Sequence, residues 1–426
     1  MKKLIYFLAF VLTVNCTLKI DNCEGQWVKM KSFTYFANCF ASIGDNIFAG
    51  FDFSGVYRST NNGVNWIQVG LDSLTVSSLA TIGNNLLAGV AGPGAGVSGV
   101  LLSTNNGANW IRTSLTYSVS TLTINGNNIY AGTGDGIYLS SNNGTSWTTL
   151  TTTIKYINSL CVRNNDIFAG TSFISNTKGI FLSTDNGNLW SQTNISISST
   201  SEVNSLISLV RNTPFAENII FAGIDTRQIA PGNIYYTTNN GVNWFPTTLS
   251  KSIYSTITYY NTIIAGTFSY GVYISQDFGG TWIPENQGFG NGVGVDCLFI
   301  TNNYIFAGFS REIWRRPLSE IITGVQNICT EIPSRYLLNQ NFPNPFNPTT
   351  TIKFDIAVDS RLHGNDKVVL KVFDILGKEV ATLVNEQLAP GTYSADWNAS
   401  AFPSGVYFYR LTTDGFSETK KMLLIK

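Results

Sequence analysis

A polar turn written six times constrains this chain more than any other feature. It reads STNNGVNWIQ from Ser59, STNNGANWIR from Ser103, SSNNGTSWTT from Ser140, STDNGNLWSQ from Ser183, TTNNGVNWFP from Thr237 and SQDFGGTWIP from Ser275. A second motif keeps step with it, an apolar run ending in Ala-Gly. It appears as NIFAG (46–50), NLLAG (85–89), NIYAG (128–132), DIFAG (166–170), IIFAG (219–223), TIIAG (262–266) and YIFAG (304–308). Repeats of about 40–45 residues mark a supersecondary unit that buries its apolar face only by stacking on its neighbours. Each unit reads as four short strands of period-2 alternation joined by tight turns, which is the length and pattern of a propeller blade.

Seven Ala-Gly strands stand against six polar turns, so one unit is short of its fourth strand. After YIFAG the chain offers REIWRRP and then no turn, whereas GQWVKM at 25–30 precedes the first unit. Trp27 is then the seventh member of the series Trp66, Trp110, Trp147, Trp190, Trp244 and Trp282. A ring left open would expose two unpaired strand edges. The N-terminal strand is therefore expected to complete the last blade. The predicted fold class is all-β: a seven-bladed β-propeller over 24–320, a linker over 321–335 and a small immunoglobulin-like β-sandwich over 336–426.

The pattern S/T-x-D/N-x-G-x-x-W resembles the Asp-box (BNR-like) repeat of sialidases, sortilin-type receptors and the photosystem II stability/assembly factor. That resemblance implies a propeller. Its residues here are Ser59, Asn61, Gly63, Trp66; Ser103, Asn105, Gly107, Trp110; Ser140, Asn142, Gly144, Trp147; Ser183, Asp185, Gly187, Trp190; Thr237, Asn239, Gly241, Trp244; and Ser275, Asp277, Gly279, Trp282. The Asn or Asp side chain is expected to cap turn amides, the hydroxyl to add a bond, the glycine to take positive φ and the indole to tuck between sheets. Asn replaces Asp in four of the six, at Asn61, Asn105, Asn142 and Asn239. A neutral amide accepts the same hydrogen bonds, so the expected duty is a structural latch and not acid–base chemistry.

In a four-stranded blade the polar turns share one face with the short links between first and second strands. The links between second and third strands, and those between blades, lie on the other. They vary in length, from FDFS (51–54) to VAGPGAGVS (90–98) and IDTRQIAPG (224–232). Variable loops on a regular scaffold are where binding surfaces arise. Asp52, Phe53, Asp135, Phe173, Asp225, Arg227, Tyr270 and Arg311 are the most contact-capable residues there.

Enzyme signatures are absent. The Arg-Ile-Pro motif of sialidases is missing, and the one histidine, His363, lies outside the repeats, which removes Ser–His–Asp and His–metal chemistry from them. No phosphate loop or dinucleotide fingerprint occurs, and no cofactor or metal is expected. A binding or adhesion role toward a glycan, a protein or an extracellular polymer is the expectation. The rival is a glycoside hydrolase or lyase using carboxylates such as Asp52, Asp135 or Asp225. Net charge is zero and 12% of residues are charged, so there is no basic face for nucleic acid or an anionic membrane.

The chain begins MKK followed by LIYFLAFVLTV (4–14), a positive start and an apolar core too short to span a bilayer. Residues 1–23 read as a signal peptide, and no transmembrane helix is expected. Cys16 sits in TVNC without the small residue that usually precedes a lipidated cysteine. The six cysteines show no CxxC or metal-ligand spacing.

At the other end, NFPNPFNP (341–348), VFDILGKEV (372–380), Gly405-Val406-Tyr407 and Lys420-Lys421-Met422 resemble the type A C-terminal sorting domain of type IX (Por) secretion over 336–426. The resemblance implies Sec export to the periplasm of a Gram-negative cell, then passage through the outer-membrane translocon as partner. The product is released or held at the cell surface. Lys420 and Lys421 are the expected sorting residues, on a terminal strand at a sheet edge with both ammonium groups available to a receptor.

Overall fold

The computed structural model describes residues 26–426 apart from 93–97, 196–199, 212–216, 227–231, 260, 291, 322–325, 330–332, 334, 358–365, 389–390, 414 and 426. The signal-peptide reading, Cys16, Arg227 and His363 lie outside the described residues.

Seven four-stranded antiparallel sheets follow one another along the chain, and two more form the C-terminal sandwich. Blade 1 is typical: Ala37–Ile43 pairs with Asn46–Phe51, then Gly55–Ser59, then the two-residue strand Ile67–Gln68. Blade 7 takes Cys297–Ile300, Tyr304–Phe309 and Glu312–Pro317 from one end of the repeats and Val28–Ser32 from the other. Val28 lies opposite Arg315 and Ser32 opposite Glu312. Trp27, just before that strand, is 2% exposed and donates from Nε1 to the Glu285 carbonyl at 2.7 Å.

The structure supplies the reason for the Ala-Gly repeat. Each innermost strand is entered through a fully buried apolar residue: Ala37, Val76, Val119, Ile157, Val203, Ile253 and Val295. That side chain fills the place where the glycine of the preceding blade would carry a Cβ. A Cβ on Gly50 would meet Val76 at 2.6 Å, on Gly132 Ile157 at 2.6 Å, and on Gly308 Ala37 at 3.0 Å. The glycine therefore sets how closely consecutive blades approach. Directly after the apolar residue, six of the innermost strands bulge, as between Ala37 and Cys39 or Ile157 and Ser159. A bulge re-aims the extra side chain out of the ladder.

The indoles pack backward around the ring. Trp66 of blade 1 shares a cluster with Phe306 of blade 7, Trp147 of blade 3 with Leu87 of blade 2, and Trp27 with Ile264 and Val272 of blade 6.

In the sandwich, the strands Leu337–Leu338, Thr349–Ile356, Gly391–Asn398 and Gln326–Cys329 make one sheet. Glu379–Leu388, Asp366–Phe373, Gly405–Thr412 and Ser417–Leu424 make the other. One core joins them, with Phe354, Val372, Trp397, Tyr409 and Met422 buried in it. Part of the stretch read as linker is structured. Ile321 packs into the blade 7 core, and Gln326–Cys329 pairs with Thr392–Ser394 as an edge strand of the sandwich. That strand is only four residues long, QNIC, without the alternation that would reveal it in a sequence.

Candidate functional site

The six polar turns repeat one hydrogen-bond scheme. In the first, the Ser59 hydroxyl donates to Asn61 Oδ1 at 3.1 Å and accepts the Gly63 N–H at 2.9 Å, while Asn61 Oδ1 accepts the Asn65 N–H at 2.9 Å. In the fourth, Ser183 donates to Asp185 Oδ1 at 2.8 Å, which accepts the Leu189 N–H at 2.9 Å. The same bonds recur from Ser103, Ser140, Thr237 and Ser275 to Asn105, Asn142, Asn239 and Asp277. The glycines Gly63, Gly107, Gly144, Gly187, Gly241 and Gly279 all have positive φ, between 76° and 94°. The Leu189 N–H and the Ser183 hydroxyl hold the Asp185 carboxyl below its usual range. Burial pulls Asp277 upward, but donors from Thr281 and Ser275 outweigh it and its carboxyl is also lowered.

On the opposite face, the variable loops gather one cluster where blades 7 and 1 meet. The Asp52 N–H donates to the Phe36 carbonyl at 3.0 Å, and Asp52 Oδ1 accepts Asn38 Nδ2 at 2.8 Å. Arg311 lies with its guanidinium 5.7 Å from the centre of the Phe36 ring. Tyr35 and Phe53 stand 5.8 Å apart, and Phe53 is 59% exposed. Three backbone positions here are left-handed without glycine: Phe53 (φ 47°), Ser310 (φ 46°) and Arg311 (φ 74°). Such conformations cost of order 1–3 kcal/mol each for non-glycine residues and persist only where the surroundings impose them.

Asp296 lies beneath this patch. It occupies the position after buried Val295, the counterpart of Asn38, Asn158 and Asn204 in other blades. Burial, and then the charge of Asp52, push its carboxyl up to about 7, against one opposing bond from the Ser310 N–H. Its neighbours Cys39 and Cys297 are free thiols, with burial raising both well above the usual thiol range.

Of the eight residues expected on this face, the structure joins Asp52, Phe53 and Arg311. Four others stand on other blades. Asp135 accepts the Tyr138 hydroxyl at 2.9 Å and pairs with Lys155 at 3.1 Å. Phe173 is half-buried in blade 4, and Asp225 is buried opposite Glu202 in blade 5. Tyr270 carries Lys251 over its ring at 3.9 Å. Sequence reading missed Tyr35, Phe36, Asn38 and Asp296. The signal for Asp296 was present, since it is the one carboxylic acid at a repeat position otherwise holding Asn, Ser or Tyr.

In the sandwich, the NFPNPFNP segment buries two side chains, Asn341 and Phe346, and leaves the four residues between them exposed. Asn341 is 2% exposed and Phe346 also 2%, whereas Phe342 is 80% exposed. The Tyr409 hydroxyl accepts the Asn341 N–H at 2.8 Å and donates to the Asn339 carbonyl at 2.8 Å. The segment also covers the outer side of the terminal strand: Phe346 N–H donates to Leu423 O at 3.0 Å, and Asn344 Oδ1 accepts the Leu423 N–H at 2.9 Å. Lys420 is not unengaged, because its ammonium pairs with Glu418 at 3.2 Å. Lys421 is exposed.

Comparison with known proteins separates the two regions. The family described as a secretion system C-terminal sorting domain matches residues 340–426. Among solved structures, YCF48 from Cyanidioschyzon merolae is 14% identical, with 70% of this chain and 100% of that one covered and a TM-score of 0.53. A structure of YCF48 bound to D1 peptide is 14% identical, covering 70% and 98%, with a TM-score of 0.51. At such identity these two show the fold alone. No curated protein matches the chain. No helix among the described residues is long and apolar enough to cross a membrane. The tail indicates export by type IX secretion to the cell surface or extracellular space, and the chain is a seven-bladed β-propeller carrying a Por-type C-terminal sorting domain.

Proposed function

We propose that the propeller is a binding or adhesion module that contacts a glycan, protein or extracellular polymer through the loop cluster at blades 7 and 1. The observation that carries this reading is the exposed aromatic group of Tyr35, Phe36 and Phe53 beside Arg311. Exposed aromatics and a guanidinium held in strained loops give rigid contact area at little entropic cost, as binding surfaces require. The polar turns on the other face act as latches of the blades. The sorting domain hands the protein to the translocon after Sec export to the periplasm, with Lys421 as the presented cation and Lys420 behind it.

The test is binding of the purified chain to arrays of glycans and of extracellular proteins, repeated with Phe53→Ala and Arg311→Ala. Both residues are exposed, so melting should stay within about 2 °C of the parent. The retained ligand should bind at least about tenfold more weakly to each, as loss of an interface anchor predicts. Equal binding by parent and variants would move the site elsewhere.

A glycoside hydrolase or lyase is the second reading. It draws on one observation, a carboxyl pushed to about 7 next to a second acid, the Asp296–Asp52 pair. A raised acid beside an ionised one is the arrangement of a general acid and its partner. Release of reducing ends that disappears in Asp296→Asn would replace the binding reading with this one.

A further inference from the structure

The sixth polar turn departs from the other five. Its left-handed position before the glycine holds Phe278 (φ 59°), where the others hold Asn62, Asn106, Asn143, Asn186 and Asn240. Asparagine adopts that conformation at lower cost than a bulky aromatic, so the exchange works against the turn's own preference. Phe278 forms one wall of a cleft of about 490 Å³ between blades 5 and 6. Tyr236 and Phe245 form another, their rings 5.8 Å apart, with Phe245 48% exposed. Thr247, Thr248 and Asp277 supply the polar lining, and no lysine or arginine borders the cleft.

The indole behind this turn is also the exception of its series. Trp147 and Trp244 donate to the hydroxyls of Thr113 and Thr193 at 3.1 Å, and Trp66 and Trp190 to the carbonyls of Gly63 and Gly187. The matching hydroxyl for Trp282 is Thr247, but that hydroxyl lies 3.2 Å from Asn233 Oδ1 instead. Trp282 Nε1 is buried and has no hydrogen-bond partner among the described residues. A buried donor without an acceptor carries a cost that the other turns of the series avoid.

We propose that this cleft binds a single neutral sugar unit of an extracellular polysaccharide. The C–H face of a sugar ring suits Phe278, Phe245 and Tyr236, and its hydroxyls both donate and accept. One hydroxyl would donate to Asp277 Oδ2, which accepts one hydrogen bond here, from the Thr281 hydroxyl at 2.7 Å. A proline-rich peptide would bring acceptors alone and leave the carboxylate without a new donor. With an ionised Asp277 and no facing cation, uronic or sulfated sugars are disfavoured. The site stands apart from the loop cluster of blades 7 and 1, on the other face of the ring.

The experiment titrates the exported chain with xylo-, cello- and manno-oligosaccharides, and with an oligogalacturonide as anionic control. Heat and tryptophan fluorescence are the readouts. At least one neutral series should bind, and the control should not. Phe278→Asn rewrites the turn as the other five have it, and Phe245→Ser places the residue that blade 4 has at Ser191. Both should stay folded by thermal melt and weaken binding roughly tenfold. Phe53→Ala should leave this binding unchanged, which separates it from the loop-face site. Absence of binding by every neutral series, tighter binding of the oligogalacturonide, undiminished binding in Phe278→Asn and Phe245→Ser, or loss of it in Phe53→Ala would each overturn the proposal.

Discussion

The propeller and the sandwich use their polar side chains in opposite ways. In the propeller turns, hydroxyl and amide bond within four residues, as Ser59 does with Asn61 and Gly63. In the sandwich, the NFPNPFNP segment reaches across the domain, from Asn341 to Tyr409 and from Gln340 to the Lys421 carbonyl. A local scheme can be copied blade after blade, and its repetition says only what is being built. A long-range scheme is written once and marks one particular surface, which is why the tail announces its use and the propeller does not.

The sharpest way to break this contrast is to separate the halves. Because Gln326–Cys329 belongs to the sandwich sheet, the cut should follow Ile321 and not fall at 336. The shortened chain should keep a folded propeller and remain in the periplasm, read by fractionation and surface protease accessibility. Surface delivery at the full-length level would show that the tail is not the address. A smaller but still large effect is expected from ring closure. Trp27→Ala removes a fully packed indole together with its bond to Glu285, and should cost about 3–5 kcal/mol. If blades were independent, the loss would stay local and only one phase of a melt would move. A single cooperative transition shifted to lower temperature is the expected result.

What the sequence made legible follows from the same contrast. The blade count and the turn chemistry were readable because their signals lie within a few residues of one another. The shared seventh blade followed from seven Ala-Gly strands standing against six polar turns. The Ala-Gly repeat was visible, but its cause was not, since the group excluding a Cβ from Gly50 is Val76 of the next blade. The loop cluster escaped for that reason too. Phe36 and Arg311 come from opposite ends of the repeats and meet only when the ring closes. Arg311 and Phe53 could be chosen as exposed and contact-capable, but Asp296 acquires its character from burial and from Asp52. The linker was misread where a strand of four residues carries no periodicity.

Asp296 offers the finest test, because it breaks the repeat at one position. Its counterparts Asn38, Asn158 and Asn204 are neutral amides, and Asn158 and Asn204 bond to each other at 2.7 Å. In the unfolded chain an aspartate titrates near 3.8, whereas here burial and then Asp52 raise it to about 7. Between those values the folded protein holds a proton that the unfolded chain has released. Its stability therefore falls as pH rises across that window and levels off above it. Asp296→Asn removes the titration while keeping an oxygen for the Ser310 N–H. The variant should match the parent near the lower limit of the window and exceed it by roughly 1–3 kcal/mol at pH 8, after discounting for partial solvation. Denaturant melts at a series of pH values measure that difference directly. A constant difference across the window would mean that Asp296 titrates like an ordinary surface carboxyl. The departure from the repeat would then be a neutral substitution, with no bearing on the site above it.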